Sequence, residues 1–362
     1  MSAAADPHAT RRRTREPLLL DPPFADRADI RAPRLKCILA AWADAVDGIR
    51  HPERVLNTFN LLFQIATLAM AVVYVARYAT AASAAVLVMA VWLFGVVYNT
   101  VWYHRYCSHR AFSFSRPWIS RLFLWSNPLV LREEVYAIPH RGHHKFSDTP
   151  KDPHGPHLGW LASFLAHESL YRINRRVGPE DYRVYCRSMQ HVGIVVAPYE
   201  LFIRTGSLEH VGWYAARTIV AHLGWCTALY LSGGTSFVLA WYTAICVTWL
   251  LIRDFQWRGH GAGLTRAKKR GWEFDMSSRA LNQRFYGYIA GEWHDNHHQF
   301  PVSANNGFLR SQPDMAFVFI RALHRLGLVA TYSDAAPRFL TKVRGHSGVP
   351  TPRADGSAAR QT

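Results

Sequence analysis

The chain has 362 residues, of which 49% are hydrophobic, and a formal net charge of +17. Its five cysteines are odd in number and show no CxxC spacing, so a disulfide framework is not expected. The charge suits anionic lipid headgroups or an acidic substrate, and nucleic acid is the weakest partner because no nucleic-acid-binding pattern is present. The apolar residues are gathered into long uncharged runs, which favours a membrane protein with a polar cap over a soluble enzyme.

The N-terminal region is basic and rich in turn-forming residues. An arginine run at 11–13 is followed by only three leucines before Asp21 and Pro22, so the apolar stretch of an export signal is missing. We expect about the first 35 residues to be a mobile cytosolic tail, because their composition is typical of disordered segments. Residues 1–54 together are predicted to form this tail and a pre-membrane segment.

Four uncharged stretches are predicted to cross a membrane as helices. A span needs about 20 apolar residues. Only Arg77 separates the first two stretches, and Gly233 and Gly234 separate the second two, so each pair is expected to form a tight hairpin. The third stretch is short and contains His222. The predicted spans are residues 55–76, 79–103, 218–232 and 235–252.

Two hairpins place both termini and residues 104–209 on one side of the membrane. The first 54 residues carry ten Lys and Arg, whereas the two opposite loops offer only Arg77. The positive-inside rule makes the shared side the cytosol. We therefore predict an all-α integral membrane protein with four transmembrane helices, whose helical cytosolic cap holds the functional site.

Residues 55–335 are predicted to form this single membrane domain. The apolar segment 117–131 is too short to span and is interpreted as interfacial or re-entrant. Residues 336–362 are predicted to be a disordered tail.

Histidine is frequent, with 19 residues, and nine of them fall into a pattern. H-R-Y-C-S-H ends the second predicted span, H-R-G-H-H and H-D-N-H-H follow later, and one histidine comes just after the fourth span. In a helix, positions i, i+3 and i+4 share a face, so each of the last two boxes directs three imidazoles at one point. The nine are His104, His109, His140, His143, His144, His260, His294, His297 and His298.

Nine imidazoles are too many for one metal ion, and two ions with four or five ligands each fit the number. The sequence therefore predicts a dinuclear metal site. Nitrogen ligands alone leave zinc, copper and iron open. The histidines that fit no box are expected to have structural roles: His157, His167, His191, His210, His222 and His324.

Three runs of the chain closely resemble the histidine boxes of acyl-CoA desaturases of the stearoyl type. They are N-T-V-W-Y-H-R-Y-C-S-H-R-A-F at 99–112, H-R-G-H-H-K-F-S-D-T-P-K-D-P-H at 140–154 and G-E-W-H-D-N-H-H-Q-F-P at 291–301. The resemblance covers about residues 56–328. It implies the four-span fold of that family and an oxygen-dependent desaturation of a long-chain saturated acyl group, with acyl-CoA as the carrier and a delta-9 double bond.

The resemblance also implies that the nine histidines bind two iron ions, with dioxygen as co-substrate. Removing hydrogen from a plain methylene needs a metal–oxygen oxidant, and zinc has no redox chemistry. The chain has no His-Pro-Gly-Gly signature of a haem-binding cytochrome domain. A separate electron donor is therefore expected, either a ferredoxin or an NAD(P)H-dependent reductase with its cytochrome.

Three residues depart from the family pattern or extend it. Gln256 stands where the family usually has an Asn beside one metal, and Asp295 stands where it commonly has Asn. Trp293 lacks the additional glycine often found between it and Glu292. Asp295 and Asp152 are candidates to support a ligating imidazole, although Asp152 suits loop capping equally well.

The second predicted span is expected to line the closed end of an acyl tunnel. Trp92 and Val96 are one helical turn apart, about 12 to 18 Å below His104 at 1.5 Å per residue. A lipid-facing or helix-packing role for Trp92 is the competing interpretation.

Acyl-lipid desaturation and hydroxylation by a related di-iron enzyme are the alternative functions. A metal-transport protein is disfavoured because the predicted spans contain only His222 as an ionisable residue of the kind that lines a path.

Overall fold

A computed structural model describes residues 19–20, 35–147, 152, 159–165, 172–259 and 293–344. The architecture is mostly helical. Two helical segments widen into π-helix at their C-terminal ends, over Tyr74–Tyr78 and Leu93–Ser108. The α-helices are α1 (Leu35–Ala45), α2 (Val55–Val73), α3 (Ala81–Trp92), α4 (Pro117–Ser126), α5 (Glu133–Phe146), α6 (Gly159–Leu165), α7 (Pro179–Met189), α8 (Tyr199–Thr205), α9 (Val211–Gly259), α10 (His294–Gln299), α11 (Met315–Arg325) and α12 (Ala336–Arg344).

Two short antiparallel sheets accompany the helices, so the all-α prediction is corrected in this detail. β1 (Leu19–Leu20) pairs with β3 (Arg172–Ile173), and β2 (Phe112–Phe114) pairs with β4 (Val329–Tyr332). β1 lies within the stretch that the sequence assigned to a mobile tail. The second sheet ties the segment after the first histidine box to the C-terminal part of the chain.

Among the described residues, three helical segments are long and apolar enough to cross a membrane. They are Val55–Tyr78, Ala81–Ser108 and Val211–Trp257. The second continues five residues beyond the predicted end at 103 and therefore includes His104. The third is 47 residues long and begins seven residues before the predicted start at 218.

The third segment is a hairpin of two helices, because α9 folds back on itself at Gly233 and Gly234. Gly234 has φ +66° and ψ −158°, a backbone conformation outside the helical region. The indole rings of Trp225 and Trp241 lie 4.5 Å apart, and the hydroxyl of Tyr242 is 3.1 Å from His222 Nδ1. We call the two halves α9a (211–232) and α9b (235–259).

The two hairpin turns lie at the same end of the helix bundle. Ser236 Oγ, just after the turn of α9, donates to the carbonyl of Tyr78 at 2.7 Å. Thr80 caps α3 there, because its Oγ accepts from Ser83 N at 3.1 Å. At the opposite end, the side chain of Arg253 donates to Gln64 Oε1 at 2.6 Å. The histidine boxes lie at this second end.

α12 lies within residues 336–362, the stretch that the sequence analysis predicts to be a tail. Phe339 on α12 is buried against Phe308 and Phe300, with ring centroids 5.0 and 6.2 Å apart. This small apolar cluster attaches α12 to the segment that follows the third histidine box.

The segment predicted to be interfacial contains α4, on which Trp118 and Leu122 are exposed.

The turn of α9 generates a prediction about stability. Replacing Gly234 with Ala forces a Cβ into a left-handed conformation that costs about 1–3 kcal/mol, so the thermal midpoint in detergent should fall. Gly224→Ala is the matched control, since a Cβ there meets nothing within 4 Å and the helix gains about 1 kcal/mol. Equal midpoints for the two variants would contradict this role of Gly234.

Candidate metal centre

The first histidine box ends the second apolar helix in a widened turn. In an α-helix, residues five apart point about 140° away from each other. Here His109 N donates to His104 O at 3.2 Å, which is the five-residue hydrogen bond of a π-helix. The wider turn brings both imidazoles to one face, and their ring centroids are 5.0 Å apart.

The second and third boxes lie on separate helices that face the first. α5 carries His140, His143 and His144 in its C-terminal half, and α10 carries the third box. Trp293, immediately before α10, has φ +59°, and its Nε1 donates to Pro313 O at 2.6 Å. A residue other than glycine rarely adopts this conformation, so the entry to α10 is held by that hydrogen bond and by burial of the indole.

The imidazoles converge in two groups whose ligand atoms lie within 4.8 Å of one another. In the larger group, His297 Nε2 lies 2.9 Å from the Nε2 atoms of both His104 and His144. We call these groups the five-histidine cluster and the three-histidine cluster. Their members are His104, His109, His140, His144 and His297 in the first, and His143, His294 and His298 in the second.

The two clusters are immediate neighbours. His143 and His144 are consecutive residues of α5 that point into different clusters. The rings of His144 and His298 stack across the boundary, with centroids 4.3 Å apart. Two metal ions bound in these clusters would therefore share one enclosed space.

Burial favours the neutral form of an imidazole, which is the form that binds a metal ion. It lowers the pKa values of His109, His140 and His297 well below the ordinary value for histidine, and the neighbouring imidazoles lower them further. Neutral imidazoles present lone pairs, and several nitrogens converge on each centre. The donor set therefore fits a pair of transition-metal ions.

Residues behind the ligands orient their rings. His143 Nδ1 lies 2.7 Å from Asp152 Oδ1, and both side chains are almost completely buried. A carboxylate only accepts, so Nδ1 of His143 donates its hydrogen and Nε2 is left with a lone pair toward the cluster. Ser147 Oγ lies 3.2 Å from His298 Nδ1 and fixes that ring in the same way.

A buried ion pair joins the first box to the segment after the third. Arg105, next to His104, donates to Asp314 through Nη2, at 2.9 Å from Oδ1 and 2.7 Å from Oδ2. Asp314 Oδ2 also accepts from Asn306 N at 2.8 Å. Within the third box, Asn296 Nδ2 donates to Asn306 O at 2.6 Å. This network sets the distance between His104 and His297.

A second buried ion network attaches α5 to α9a. Arg217 makes a two-point contact with Glu209, with both N···O distances at 2.8 Å, and its Nη2 also donates to Glu133. Glu133 begins the helix that carries the second box, and its Oε1 accepts from Trp102 Nε1 at 3.1 Å and Asn127 Nδ2 at 3.2 Å. The second box is thereby anchored to both apolar hairpins.

The structure brings together eight of the nine predicted ligands. His260 lies outside the described residues, as do residues 291–292. Gln256 lies on α9b, where the ring of its neighbour Phe255 is 5.1 Å from that of His294. Asp295 is half-buried in α10 between the third-box residues. The unboxed His191, His222 and His324 belong to neither cluster and contact Tyr106 O, Tyr242 and Val329 O, respectively.

Sequence reasoning missed the ion networks around Arg105, Glu133 and Arg217. A signal existed for one of them, because Arg105 lies within a histidine box and a charge so close to an apolar span needs a partner. Asp314 is 209 residues from Arg105 and Glu133 is 84 residues from Arg217, and nothing in their local pattern distinguishes them from surface carboxylates.

The fold and the site define a mostly helical protein with apolar helices long enough to cross a membrane and two histidine clusters that could hold metal ions. The chain matches the fatty acid desaturase family over residues 79–339 and belongs to that family, whose members are oxidoreductases.

Individual relatives are distant. A palmitoyl-monogalactosyldiacylglycerol delta-7 desaturase of Arabidopsis thaliana is 28% identical, over 65% of this chain and 57% of its own length. Delta-9 acyl-lipid desaturase 1 of the same plant is 27% identical, over 68% of this chain and 74% of the relative. An acyl-CoA 5-desaturase of Anemone leveillei is 28% identical, over 65% of this chain and 66% of the relative. The chain thus spans little more than half of the delta-7 relative.

The contact between Asp152 and His143 generates a prediction about metal affinity. Asp152→Ala should weaken metal binding at the three-histidine cluster by about 10–100-fold, because His143 loses the acceptor that orients it. Cobalt(II) titration of the purified protein, followed by visible absorption, measures the two clusters separately. Asp181→Ala on α7 is the control. Equal weakening at both clusters, or none, would be evidence against this role.

Proposed function

We propose that the protein is an oxygen-dependent fatty acyl desaturase whose two histidine clusters hold a pair of iron ions. The observation that carries the proposal is the convergence of eight imidazoles from three boxes into two adjacent clusters. Family membership agrees with this chemistry. A structural metal site would not need two adjacent ions ligated by nitrogen alone.

The reaction removes two hydrogens from neighbouring methylene groups of a saturated acyl chain. Dioxygen, those two hydrogens, two electrons and two protons together give two water molecules. When bound, the iron pair would supply the dioxygen activation that an unactivated C–H bond requires, because side-chain acids and bases cannot break such a bond.

The chain's own residues prepare the site for this reaction. Asp152 holds the hydrogen of His143 at Nδ1, and Ser147 contacts Nδ1 of His298, so the Nε2 atoms of both rings face the cluster. The two buried ion networks fix the three boxes relative to one another. Burial of the ligands excludes bulk water, which protects a reactive oxidant from side reactions.

We place four membrane crossings in the chain, two of them in the hairpin of α9, with both termini and the metal centre on the cytosolic side. The excess of basic residues before Val55 supports this orientation. Electrons would come from a separate protein, either a ferredoxin or an NAD(P)H-dependent reductase with its cytochrome.

A long-chain acyl-CoA is the substrate that the box motifs favour, with a double bond of the delta-9 type. The relatives include acyl-CoA and acyl-lipid desaturases, so an acyl-lipid is the second candidate. Hydroxylation by the same kind of site is a further alternative.

The three-histidine cluster would be completed by residues of α9b and of the segment that follows it. We place His260 in this cluster as its fourth imidazole, with Gln256 one turn earlier in place of the family's Asn. The proximity of Phe255 to His294 supports this placement. Asp295 would support a neighbouring imidazole through its carboxylate.

The decisive experiment is expression in a host that lacks unsaturated lipids, followed by mass spectrometry of its fatty acids. The wild-type chain should produce a monounsaturated acid, and His143→Ala should produce none. His324→Ala is the control, because that ring contacts only the C-terminal sheet region and should keep the activity. A hydroxylated acid as the main product would establish the hydroxylase alternative.

The second apolar helix would line the closed end of the acyl tunnel. Val96 is fully buried, and Trp92, one turn earlier, is half-buried with its ring edge-on to Phe319 of α11 at 6.5 Å. Trp92 therefore packs toward the protein interior on at least one side. Burying an acyl chain contributes about 0.8 kcal/mol per methylene, so tunnel depth can select chain length.

Shortening Trp92 should lengthen the preferred substrate. Trp92→Ala opens space at the end of the tunnel, so the product profile should move by a few carbons while the double bond keeps its distance from the carboxyl end. The measurement is the chain-length distribution of unsaturated acids. Val88→Ala, one turn earlier on an exposed face, is the control. An unchanged profile in an active Trp92→Ala protein would place this residue outside the tunnel.

A further inference from the structure

Four arginine residues lie around the C-terminal end of α7. Arg110 Nη2 donates to the carbonyls of Arg187 and Ser188, at 2.9 and 3.0 Å. Arg141 Nη2 donates to the same Ser188 carbonyl at 3.2 Å. Arg121 lies beside the turn that follows, since its Cγ is 3.9 Å from the position that a Cβ on Gly193 would occupy. We call Arg110, Arg121, Arg141 and Arg187 the arginine patch.

The patch is not neutralised by carboxylates. In the part of the chain that the structure describes, none of its four arginines forms an ion pair, whereas the buried Arg105 and Arg217 do. Arg110, Arg121 and Arg187 are exposed. An arginine side chain carries a positive charge at neutral pH. The carbonyls at the end of α7 offset only part of this charge.

The patch lies directly beside the five-histidine cluster. Arg110 follows the ligand His109 in the chain, and Arg141 follows the ligand His140. Arg141 also bonds to the first-box backbone, because its Nε donates to Ser108 O and its Nη2 to Cys107 O, both at 2.8 Å. Within the five-histidine cluster, His109 is half-buried, while His104 is buried. The exposed positive surface thus begins one residue from two ligands.

We propose that the arginine patch is the docking surface for a small acidic one-electron carrier, and that electrons enter the metal centre at His109 and His140. This inference rests on the proposed function, which consumes two electrons per double bond. Electron transfer weakens steeply with distance, so a carrier must dock near a ligand. Arg110 and Arg141 already donate to main-chain carbonyls. The patch therefore presents a broad positive potential, and not the pair of parallel N–H donors from one arginine that would bind a single phosphate.

The test is steady-state desaturation by the full chain in lipid nanodiscs, driven by a plant-type ferredoxin with its reductase and NADPH. The variant is Arg121→Glu/Arg187→Glu, whose side chains make no ligand contact. Its KM for ferredoxin should rise at least about tenfold at low ionic strength, with a much smaller change in kcat, because rim charges act mainly on association. Added salt should reduce the difference between variant and wild type.

Arg204→Glu/Arg176→Glu is the charge-matched control, since both arginines are exposed on a cleft beside the 3₁₀ turn Pro52–Arg54. It should keep the wild-type KM for ferredoxin. If both double variants raised the KM for ferredoxin equally, the effect would come from the overall charge of the protein. That result would overturn the docking site.

Two further outcomes would also overturn it. Equal losses with ferredoxin and with dithionite-reduced methyl viologen would assign the arginines to the integrity of the metal centre. Loss of binding to vesicles containing phosphatidylglycerol, with an unchanged KM for ferredoxin, would assign them to the membrane surface. If the wild type forms no unsaturated product with either electron source, the proposed function fails; if it does and all variants share one KM, only the docking inference fails.

Discussion

Eight imidazoles converge in two adjacent clusters, and the surrounding fold has to hold them there. Several of their Nε2 atoms lie only 2.9–3.3 Å apart. One nitrogen of such a pair can donate a hydrogen bond to the other. Where neither nitrogen carries a hydrogen, their lone pairs face each other and the two rings do not attract. The geometry therefore depends on contacts behind the rings, from Asp152 and Ser147 at the ligands to the ion networks at the ends of the box helices.

Apolar packing alone would not fix the position of one helix along another. The two ion networks fix this register. Burying an ion pair gives little net stability, but removing one partner from such a pair costs about 3–5 kcal/mol, because a charge is left unpaired in a dry interior. Sliding of α5 or of the segment after α10 would break the contacts of Arg217 or Arg105. The positions of the second and third boxes therefore depend on buried ion pairs that are costly to break. The arginine patch is the reverse case, since its charges are unpaired where solvent and partners can reach them.

The sequence predicted those features that depend on local spacing. The H-x-x-H-H boxes lie on α5 and α10, as i, i+3, i+4 spacing requires, and Gly233–Gly234 marks the turn of α9. The arrangement of the first box could not be predicted in this way. Residues five apart lie on the same face in a π-helix but not in an α-helix, and no propensity rule predicts a π-helix. Asp314 is 209 residues from Arg105 and Glu133 is 84 residues from Arg217, so these pairs were found only in three dimensions. α12 was not predicted, because it is a short segment in which the apolar residues, Phe339 and Leu340 among them, are interspersed with basic ones.

The unequal size of the two clusters connects the metal centre to the membrane hairpins. The five-histidine cluster draws on all three boxes and on the end of the second apolar helix. Among the described residues, the three-histidine cluster draws on α5 and α10, and α9b ends beside it. A Cβ on Gly259 would lie 3.2 Å from His294 Cδ2, so the helix approaches the third box as closely as a glycine backbone permits. Any displacement of α9b would therefore move the surroundings of His294 first. In this arrangement the end of each apolar hairpin borders one cluster, so the packing of the apolar helices and the geometry of the histidine clusters are set by the same helices.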